Sequence, residues 1–327
     1  MSFYVAVADS VFPTLDPARE VLKTIGATLE LAPAGQPEAF MALAAKADAV
    51  LVTYAKINAD MIAGMPKVRI ISRFGIGVDN VDLDAATARG IVVTKVPDYC
   101  IDEVSDHAMA LLLAVVRKIP MISAKVHAGE WKMPDVVPIA RLRGSTLGLM
   151  GFGRIPQLMV PKAQSFGIKV VAYDPFVPKD VFQKLGVEQV DFEQLLKVSD
   201  YISIHSPLVP ETKGIFNADA FKKMKKTAYV VNTARGPIID EAALAAALDA
   251  GEIAGAALDV MTQEPPGSSP LFGRANVIIT PHTSFYSTEA LVELQTKATQ
   301  EVVSVLSGQA PRNPVNPEAV AQATAKR

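Results

Sequence analysis

The sequence predicts an α/β protein made of two doubly wound parallel-sheet domains. Short β-branched and apolar runs alternate with helical patterns along almost the whole chain, as in strands joined by crossover helices. The runs are continuously apolar, which favours parallel strands covered by helices on both faces. At 327 residues the chain is longer than a usual single-core domain, so two domains are expected.

The predicted strands form two series. The first five lie at 3–8, 27–32, 48–53, 69–74 and 91–95, with helical patterns between them near 14–25, 37–46, 58–64 and 82–89. The second series follows at 146–150, 168–174, 201–205, 228–234, 255–260 and 277–282. Each series predicts one sheet and therefore one domain.

Two long helical patterns set the predicted domain boundaries. The segment 102–119 carries an apolar stripe and lies between the two series, so we expect a helix that crosses from one domain to the other. The pattern 288–308 follows the last strand and ends at a glycine. We expect this helix to return the chain to the first domain, which would then comprise 1–101 plus 288–327, with 102–287 as the second.

Composition and charge argue against several classes of protein. The 32 basic and 34 acidic residues nearly balance, so nothing favours nucleic acid or an anionic membrane as a partner. The N-terminus reads as a strand without a charged leader, and the longest apolar run, 108–116, is too short to span a bilayer. The single cysteine, Cys100, rules out an internal disulfide. A cytoplasmic enzyme or small-ligand protein without a metal is expected.

The stretch GFGRIPQLMVPK at 151–162 is similar to a phosphate-binding glycine loop. It lies between a predicted strand and a helical pattern, and Asp174 closes the next strand 21 residues after Gly153. In a dinucleotide fold, such glycines let backbone N–H groups approach a pyrophosphate, and the acid binds a ribose diol. The segment predicts a Rossmann domain that binds the cofactor through Gly151, Gly153, Arg154, Ile155 and Asp174.

Two prolines depart from the motif. Pro156 replaces the third glycine, which serves helix packing, and in a first helical turn its missing N–H costs little. Pro161 would cost about 3 kcal/mol or kink the helix, so we expect a kinked or displaced helix with an intact phosphate cradle. The alternative to a nucleotide-binding loop is a simple turn. Asp174 would repel the 2′-phosphate of NADP, and 174–178 contains no Lys or Arg, so NAD is favoured.

Three polar residues form a candidate catalytic trio. They lie at or beyond the C-terminal ends of strands in the second series. Reduction of a 2-oxo acid needs a cation for the carboxylate, a proton donor for the alkoxide and an acid that keeps this donor charged. Arg235, Glu264 and His282 meet these needs. Singly, each has a plain alternative: a surface ion pair, a proline turn and a strand cap. His205 could face the cofactor, but it has no acid nearby in sequence.

The order of the glycine loop, HSPL, VNTARGPIIDEAAL, ALDV…EPP and TPH resembles that of the D-isomer-specific 2-hydroxyacid dehydrogenases. The resemblance covers nearly the whole chain. It implies an NAD-dependent enzyme that interconverts a D-2-hydroxy acid and its 2-oxo acid, with a Rossmann domain inserted in a flavodoxin-like substrate domain. It also implies a homodimer through the nucleotide domains, which the apolar helix at 102–119 could support.

The resemblance also assigns individual roles. Arg235 would bind the substrate, His282 would be the acid/base and Glu264 would orient it; related formate dehydrogenases have glutamine there, so the acid favours hydroxy acid chemistry. Asp259 would approach the nicotinamide amide, and Thr233 and Ala234 would line its pocket. The substrate carboxylate would meet an N–H nest, or else a tight turn, formed by Gly75, Ile76 and Gly77.

Two questions stay open at this point. Tyr54, Phe285 and Tyr286 are candidates for an apolar or aromatic substrate wall, and Arg73 for a distal anion site, although a packing or surface role is the simpler explanation for each. The segment HTSFYS at 282–287 is similar to that of the C-terminal-binding proteins, corepressors that bind NAD and partner peptides. An NAD(H)-sensing interaction protein with little turnover is therefore the alternative function.

Overall fold

The structure, a computed structural model, describes residues 2–132 and 137–325. The chain divides into two compact units. The discontinuous unit comprises Met1–Tyr99 and Ser287–Arg327, and the continuous unit comprises Cys100–Tyr286. These boundaries lie within two residues of those expected from the sequence.

The discontinuous unit contains a five-stranded parallel sheet in the order β2-β1-β3-β4-β5. This is the 2-1-3-4-5 order of flavodoxin-like sheets. Its strands are β1 (Tyr4–Val7), β2 (Thr28–Leu31), β3 (Ala49–Val52), β4 (Ile70–Arg73) and β5 (Val92–Thr94). The helices between them are α1 (Asp16–Lys23), α2 (Pro37–Ala44), α3 (Ala59–Ala63) and α4 (Leu83–Ala88).

The continuous unit contains a seven-stranded parallel sheet in the order β12-β11-β10-β9-β6-β7-β8. Counted within the unit, the first six strands follow the Rossmann order 3-2-1-4-5-6, and β12 adds an edge strand. The strands are β6 (Thr146–Met150), β7 (Lys169–Tyr173), β8 (Glu188–Gln189), β9 (Tyr201–Ile204), β10 (Tyr229–Asn232), β11 (Gly255–Leu258) and β12 (Val277–Ile279). The helices are α5 (Ile101–Val116), α6 (Ile119–His127), α7 (Arg154–Ser165), α8 (Lys179–Lys184), α9 (Phe192–Val198), α10 (Ala218–Lys223) and α11 (Glu241–Asp249).

The predicted crossing helix was placed wrongly. The helix α5 lies wholly in the continuous unit, where it packs against α7, β10 and β11. Leu111, Leu112 and Val115 lie in the buried core there. The helix ends at Val116 because Lys118 adopts a left-handed backbone with φ of 55°, after which α6 begins.

The C-terminal segment completes the discontinuous unit. It contains α12 (Thr288–Leu306), which packs on α1 and β4, and a short helix α13 (Val320–Ala325). Arg69, only 5% exposed, donates hydrogen bonds to the carbonyls of Val305, Leu306, Ala323 and Thr324. Within the described ranges, no helix combines the length and apolarity that a bilayer crossing requires.

Candidate active site at the carboxyl edge of the continuous unit

The glycine loop lies where the order of strands in the sheet reverses. It follows β6, and the neighbouring strand β9 ends just before His205. Gly151 has a φ of 89°, and a Cβ there would lie 2.9 Å from the backbone carbonyl carbon of His205. Only glycine fits this position. Ligands of open α/β sheets bind in the crevice at such a point.

The N-terminus of α7 has the features of a phosphate cradle. In the described part of the chain, no acceptor receives the N–H groups of Gly153, Arg154 or Ile155. A Cβ built on Gly153 would meet no atom within 4 Å, so the space in front of the loop is open. Unpaired N–H groups at a helix N-terminus suit a pyrophosphate, and these residues therefore fit NAD.

The prolines of the loop have different effects. Pro156 is buried in the first turn of α7, where it provides packing but no N–H. Pro161 lies inside α7, yet the helix runs from Arg154 to Ser165 as one element. The expected distortion therefore does not end the helix. Lys162 follows directly and pairs with Asp106 on α5 at 2.5 Å.

Asp174 is fixed by the backbone around it. Its Oδ2 accepts the N–H of Phe152 at 2.8 Å, and its Oδ1 accepts those of Phe176 at 2.9 Å and Val177 at 3.3 Å. The carboxylate thus stands at the end of β7, joined to the glycine loop. This position suits an acceptor for a ribose diol.

His205 is held in its neutral form. Burial lowers the pKa of its imidazole to about 3, because desolvation disfavours the charged ring. Its Nε2 lies 2.8 Å from Ser203 Oγ. His205 therefore suits contact with a cofactor, and its low pKa argues against a role as proton donor at neutral pH.

The loop that carries Arg235 is built by Asn232. The Asn232 side chain accepts from the N–H of Ala234 at 3.0 Å and donates to the carbonyl of Arg235 at 2.9 Å. Thr233 lies between Asn232 and Ala234 in this loop. Its buried Oγ1 has no hydrogen-bond partner among the described residues. A buried hydroxyl without a partner is unusual, and it fits a position that faces a polar ligand group.

The loops of Arg235 and Glu264 pack against each other. A Cβ on Gly236 would lie 2.0 Å from the backbone of Met261, so this approach requires glycine. Glu264 Oε1 accepts the N–H of Met261 at 2.9 Å. Glu241, the first residue of α11, accepts the N–H of Thr262 at 2.6 Å and so holds the same loop.

His282 and Glu264 form a direct pair. The imidazole Nδ1 lies 2.6 Å from Glu264 Oε2, and the two side chains are 21% and 31% exposed. Because a carboxylate can only accept, Nδ1 is the donor and the ring presents Nε2 on its opposite side. Phe285 contacts the imidazole edge-on, with ring centroids 6.2 Å apart.

The backbone of His282 is constrained from beneath. His282 has a φ of 53°, which a non-glycine residue rarely adopts. Asp259, 1% exposed, accepts the N–H groups of Thr283 and Ser284 through its side chain, both at 2.9 Å. Its carbonyl accepts the N–H of His282 at 2.8 Å. The Asp259 carboxylate, expected at the nicotinamide amide, therefore also holds this turn.

The remaining predicted residues belong to the discontinuous unit. Gly75 follows β4 and has a φ of 151°, and a Cβ there would overlap the guanidinium of Arg73, which is 8% exposed. No described residue accepts the N–H groups of Ile76 or Gly77. The loop thus has the unpaired donors of an anion nest, with Arg73 packed against it. Tyr54 is 37% exposed in the same unit.

Some site residues were missed by sequence reasoning. Asn232 stands two residues before an N–H that it caps, which is ordinary Asx-turn chemistry, so VNTARG contained a readable signal. Gly236, Glu241 and Thr280 act through contacts with chain segments 20 or more residues away. Their sequence neighbours give no sign of these contacts.

Comparisons with known proteins show the family of this chain. Residues 109–284 match the family model described as D-isomer specific 2-hydroxyacid dehydrogenase, NAD binding domain. The chain is 40% identical over 306 residues to D-3-phosphoglycerate dehydrogenase of Methanocaldococcus jannaschii, over 93% of this chain and 58% of that protein. It is 40% identical over 267 residues to glyoxylate reductase of Thermococcus litoralis, over 80% and 81% of the two chains.

The fold is similar to that of a solved dehydrogenase. The crystal structure of D-lactate dehydrogenase from Aquifex aeolicus complexed with NAD and lactic acid matches with a TM-score of 0.85 and 27% identity. The match covers 95% of this chain and 99% of that one. By contrast, the chain spans 58% of the length of several of the phosphoglycerate dehydrogenases that it matches. The matched domain binds NAD, which is therefore the cofactor, and the chain belongs to the D-isomer specific 2-hydroxyacid dehydrogenase family.

Proposed function

We propose that this chain interconverts a D-2-hydroxy acid and its 2-oxo acid with NAD as cofactor. The observation that carries the proposal is the 2.6 Å contact between His282 Nδ1 and Glu264 Oε2. A carboxylate at this distance accepts the hydrogen bond from Nδ1 and fixes the orientation of the imidazole. The pair therefore suits proton transfer to or from a substrate oxygen.

Each residue of the trio has its own role in this reaction. Bound NAD supplies the hydride donor or acceptor. In reduction, His282 Nε2 gives its proton to the carbonyl oxygen of the 2-oxo acid, and in oxidation it takes the proton back. Glu264 keeps Nδ1 protonated, and Arg235 binds the substrate carboxylate and polarises the carbonyl.

The discontinuous unit is proposed to be the substrate domain. Its unpaired N–H groups at Ile76 and Gly77 would bind the substrate carboxylate. On the other unit, Phe285 lies against the imidazole, which favours a compact or apolar substituent beside the carbonyl. Small 2-oxo acids such as glyoxylate and pyruvate are therefore the first substrates to test.

The test is oxidation of NADH across glyoxylate, pyruvate, hydroxypyruvate, phenylpyruvate and branched-chain 2-oxo acids. We expect turnover with at least one of them and its loss in His282→Gln, while NADH binding, followed by its fluorescence, stays within about twofold of wild type. Tight NADH binding without turnover over the whole panel would contradict the proposal and favour the NAD(H)-sensing interaction protein.

We further propose that the protein is a homodimer formed through the continuous unit. Half of the residues of the long helix α5 are buried within its own unit. The neighbouring helix α6 has no buried residue, and Ile119, Val126 and the nearby Trp131 are 55%, 42% and 88% exposed. An apolar helix surface of this kind marks an interaction site. A cytoplasmic location stays a prediction.

A further inference from the structure

The buried carboxylate of Asp259 receives a third hydrogen bond besides those from the Thr283 and Ser284 N–H groups. Thr280 Oγ1 lies 2.5 Å from Asp259 Oδ1. The Asp259 side chain is 0% exposed, so solvent does not replace a lost donor. Each of these hydrogen bonds therefore helps to fix the turn on which His282 lies.

The direction of the next hydrogen bond follows from the protons available. A carboxylate accepts only, so the Thr280 hydroxyl must donate its one proton to Asp259. His107 Nε2 lies 3.1 Å from the same hydroxyl oxygen, which can then only accept. The imidazole of His107 is therefore the donor, and its Nε2 carries a proton in both the neutral and the charged form.

His107 is well placed for this contact. It lies on α5, where its neighbour Ala108 is 0% exposed and packs in the core of the unit. The ring itself is 27% exposed, and its Nε2 lies 3.6 Å from Asp259 Oδ1. The helix thus fixes the position of a donor next to a buried acceptor pair.

We infer that His107 is a positioning residue for the reaction, which acts on His282 through Thr280 and Asp259. The inference rests on the proposed function for its kinetic part. His282 has an unfavourable backbone conformation, and such residues persist where the surroundings over-determine them. The hydrogen bonds from His107 to Thr280 and from Thr280 to Asp259 provide this constraint. Without them, the turn relaxes and Nε2 of His282 moves away from its reactive position.

Two matched pairs of variants test the inference. Thr280→Val removes the hydroxyl at constant shape, whereas Thr280→Ser keeps it. His107→Leu removes the donor, whereas His107→Gln keeps one. We expect kcat for 2-oxo acid reduction to fall about tenfold to a hundredfold in the valine and leucine variants, with the dissociation constant of NADH unchanged and substantial recovery in the serine and glutamine variants.

A second measurement does not depend on turnover. The chain has four histidines, so their ring signals can be assigned by NMR through single substitutions. We expect the signals of His282 to shift in Thr280→Val and His107→Leu, and to stay near the wild-type position in the two conservative variants. Signals that move in this pattern support positioning even if the wild-type enzyme turns over none of the acids, in which case only the proposed function fails.

Three results would overturn the inference. One is a Thr280→Val enzyme with wild-type kcat and unmoved His282 signals. Another is equal loss in Thr280→Ser and Thr280→Val, which would assign the effect to packing. The third is a loss confined to NADH affinity with unmoved His282 signals, which would place Asp259 and Thr280 at the nicotinamide and not beneath the acid/base.

Discussion

The charge of Glu264 can be separated from its hydrogen bond. In Glu264→Gln the side-chain oxygen can still accept from His282 Nδ1, but the negative charge next to the imidazole is gone. We expect the rate of 2-oxo acid reduction at pH 7 to fall about tenfold or more. Steady-state rates at pH 7 measure this.

An exposed acid gives the control for this substitution. Glu188 lies in the same unit and is exposed, and Glu188→Gln changes the net charge of the protein equally. Its rate is expected to equal that of wild type. A Glu264→Gln enzyme with the wild-type rate would show that the reaction does not need the negative charge of Glu264.

His205 should make the fold sensitive to acid. Its pKa is lowered to about 3 by burial, whereas an unfolded chain has a histidine pKa near ~6.5. Between these values the unfolded state binds a proton that the native state does not, so stability falls as the pH drops below ~6.5. The contribution amounts to about 2 kcal/mol at pH 5.

The measurement is a difference between variants. The midpoint of thermal unfolding should decrease less between pH 7 and pH 5 in His205→Gln than in wild type, since all other titrating groups are shared. His127, which is exposed, provides the matched control, and His127→Gln should follow wild type. An equal drop in His205→Gln would mean that His205 is charged in the native protein.

Sequence reasoning predicted site candidates whose side-chain chemistry itself suggests a role. An arginine, a histidine and an acid after neighbouring strands predicted the trio, and the structure brings His282 within 2.6 Å of Glu264. Sequence reasoning did not identify His107 or Thr280 as part of this site, because the hydrogen bond between them joins positions 173 residues apart. Such a contact depends on the packing of α5 against the sheet, which no local pattern encodes.

At the scale of elements, Pro161 leaves α7 with a reserve of stability. The residue is exposed within the helix, where it supplies no N–H to the Gln157 carbonyl and its ring crowds the preceding turn. Pro161→Ala restores this donor, so we expect a gain of about 1–2 kcal/mol after the entropy gained by the unfolded chain is subtracted. The midpoint of thermal unfolding and amide exchange in α7 measure the gain.

A proline at a helix start is the matched control. Pro37 is exposed at the first position of α2, where the N–H has no intrahelical partner in any case. Pro37→Ala should therefore leave the midpoint unchanged or lower it slightly. If both variants behave alike, the interior position of Pro161 is not strained.

Element prediction succeeded where local signals and packing agree. All eleven predicted strands are present, and the apolar runs of nine of them are mostly buried, whereas β2 and β12 are more exposed. The end of α5 was missed because Lys118, and not glycine, takes the left-handed turn, and the apolar pattern continues into α6. The two-residue strand β8 (Glu188–Gln189) is too short and too polar to have a strand pattern.

At the scale of the whole molecule, the helical pattern at 288–308, after the last strand, was the basis for expecting the chain to return to the first domain. A helix with an apolar face must bury that face against another element, and α12 packs on α1 and β4. The buried guanidinium of Arg69 donates hydrogen bonds to carbonyls near the ends of α12 and α13. The proline-rich tail gave no sign of α13, whose docking depends on this contact.

The surface of α6 gives the last prediction. Ile119 is 55% exposed on a helix without a buried residue, and a cavity of about 690 Å³ opens beside it, lined in part by Met121 and Ile139. If two copies of the chain bury this surface, a charge at Ile119 must be desolvated without a partner, which costs several kcal/mol. Ile119→Glu should therefore shift the mass measured by light scattering from dimer to monomer at micromolar concentration. Leu31→Glu, an equally drastic change at a residue 41% exposed in the other unit, should leave the dimer intact, and a wild-type monomer would refute the assembly altogether.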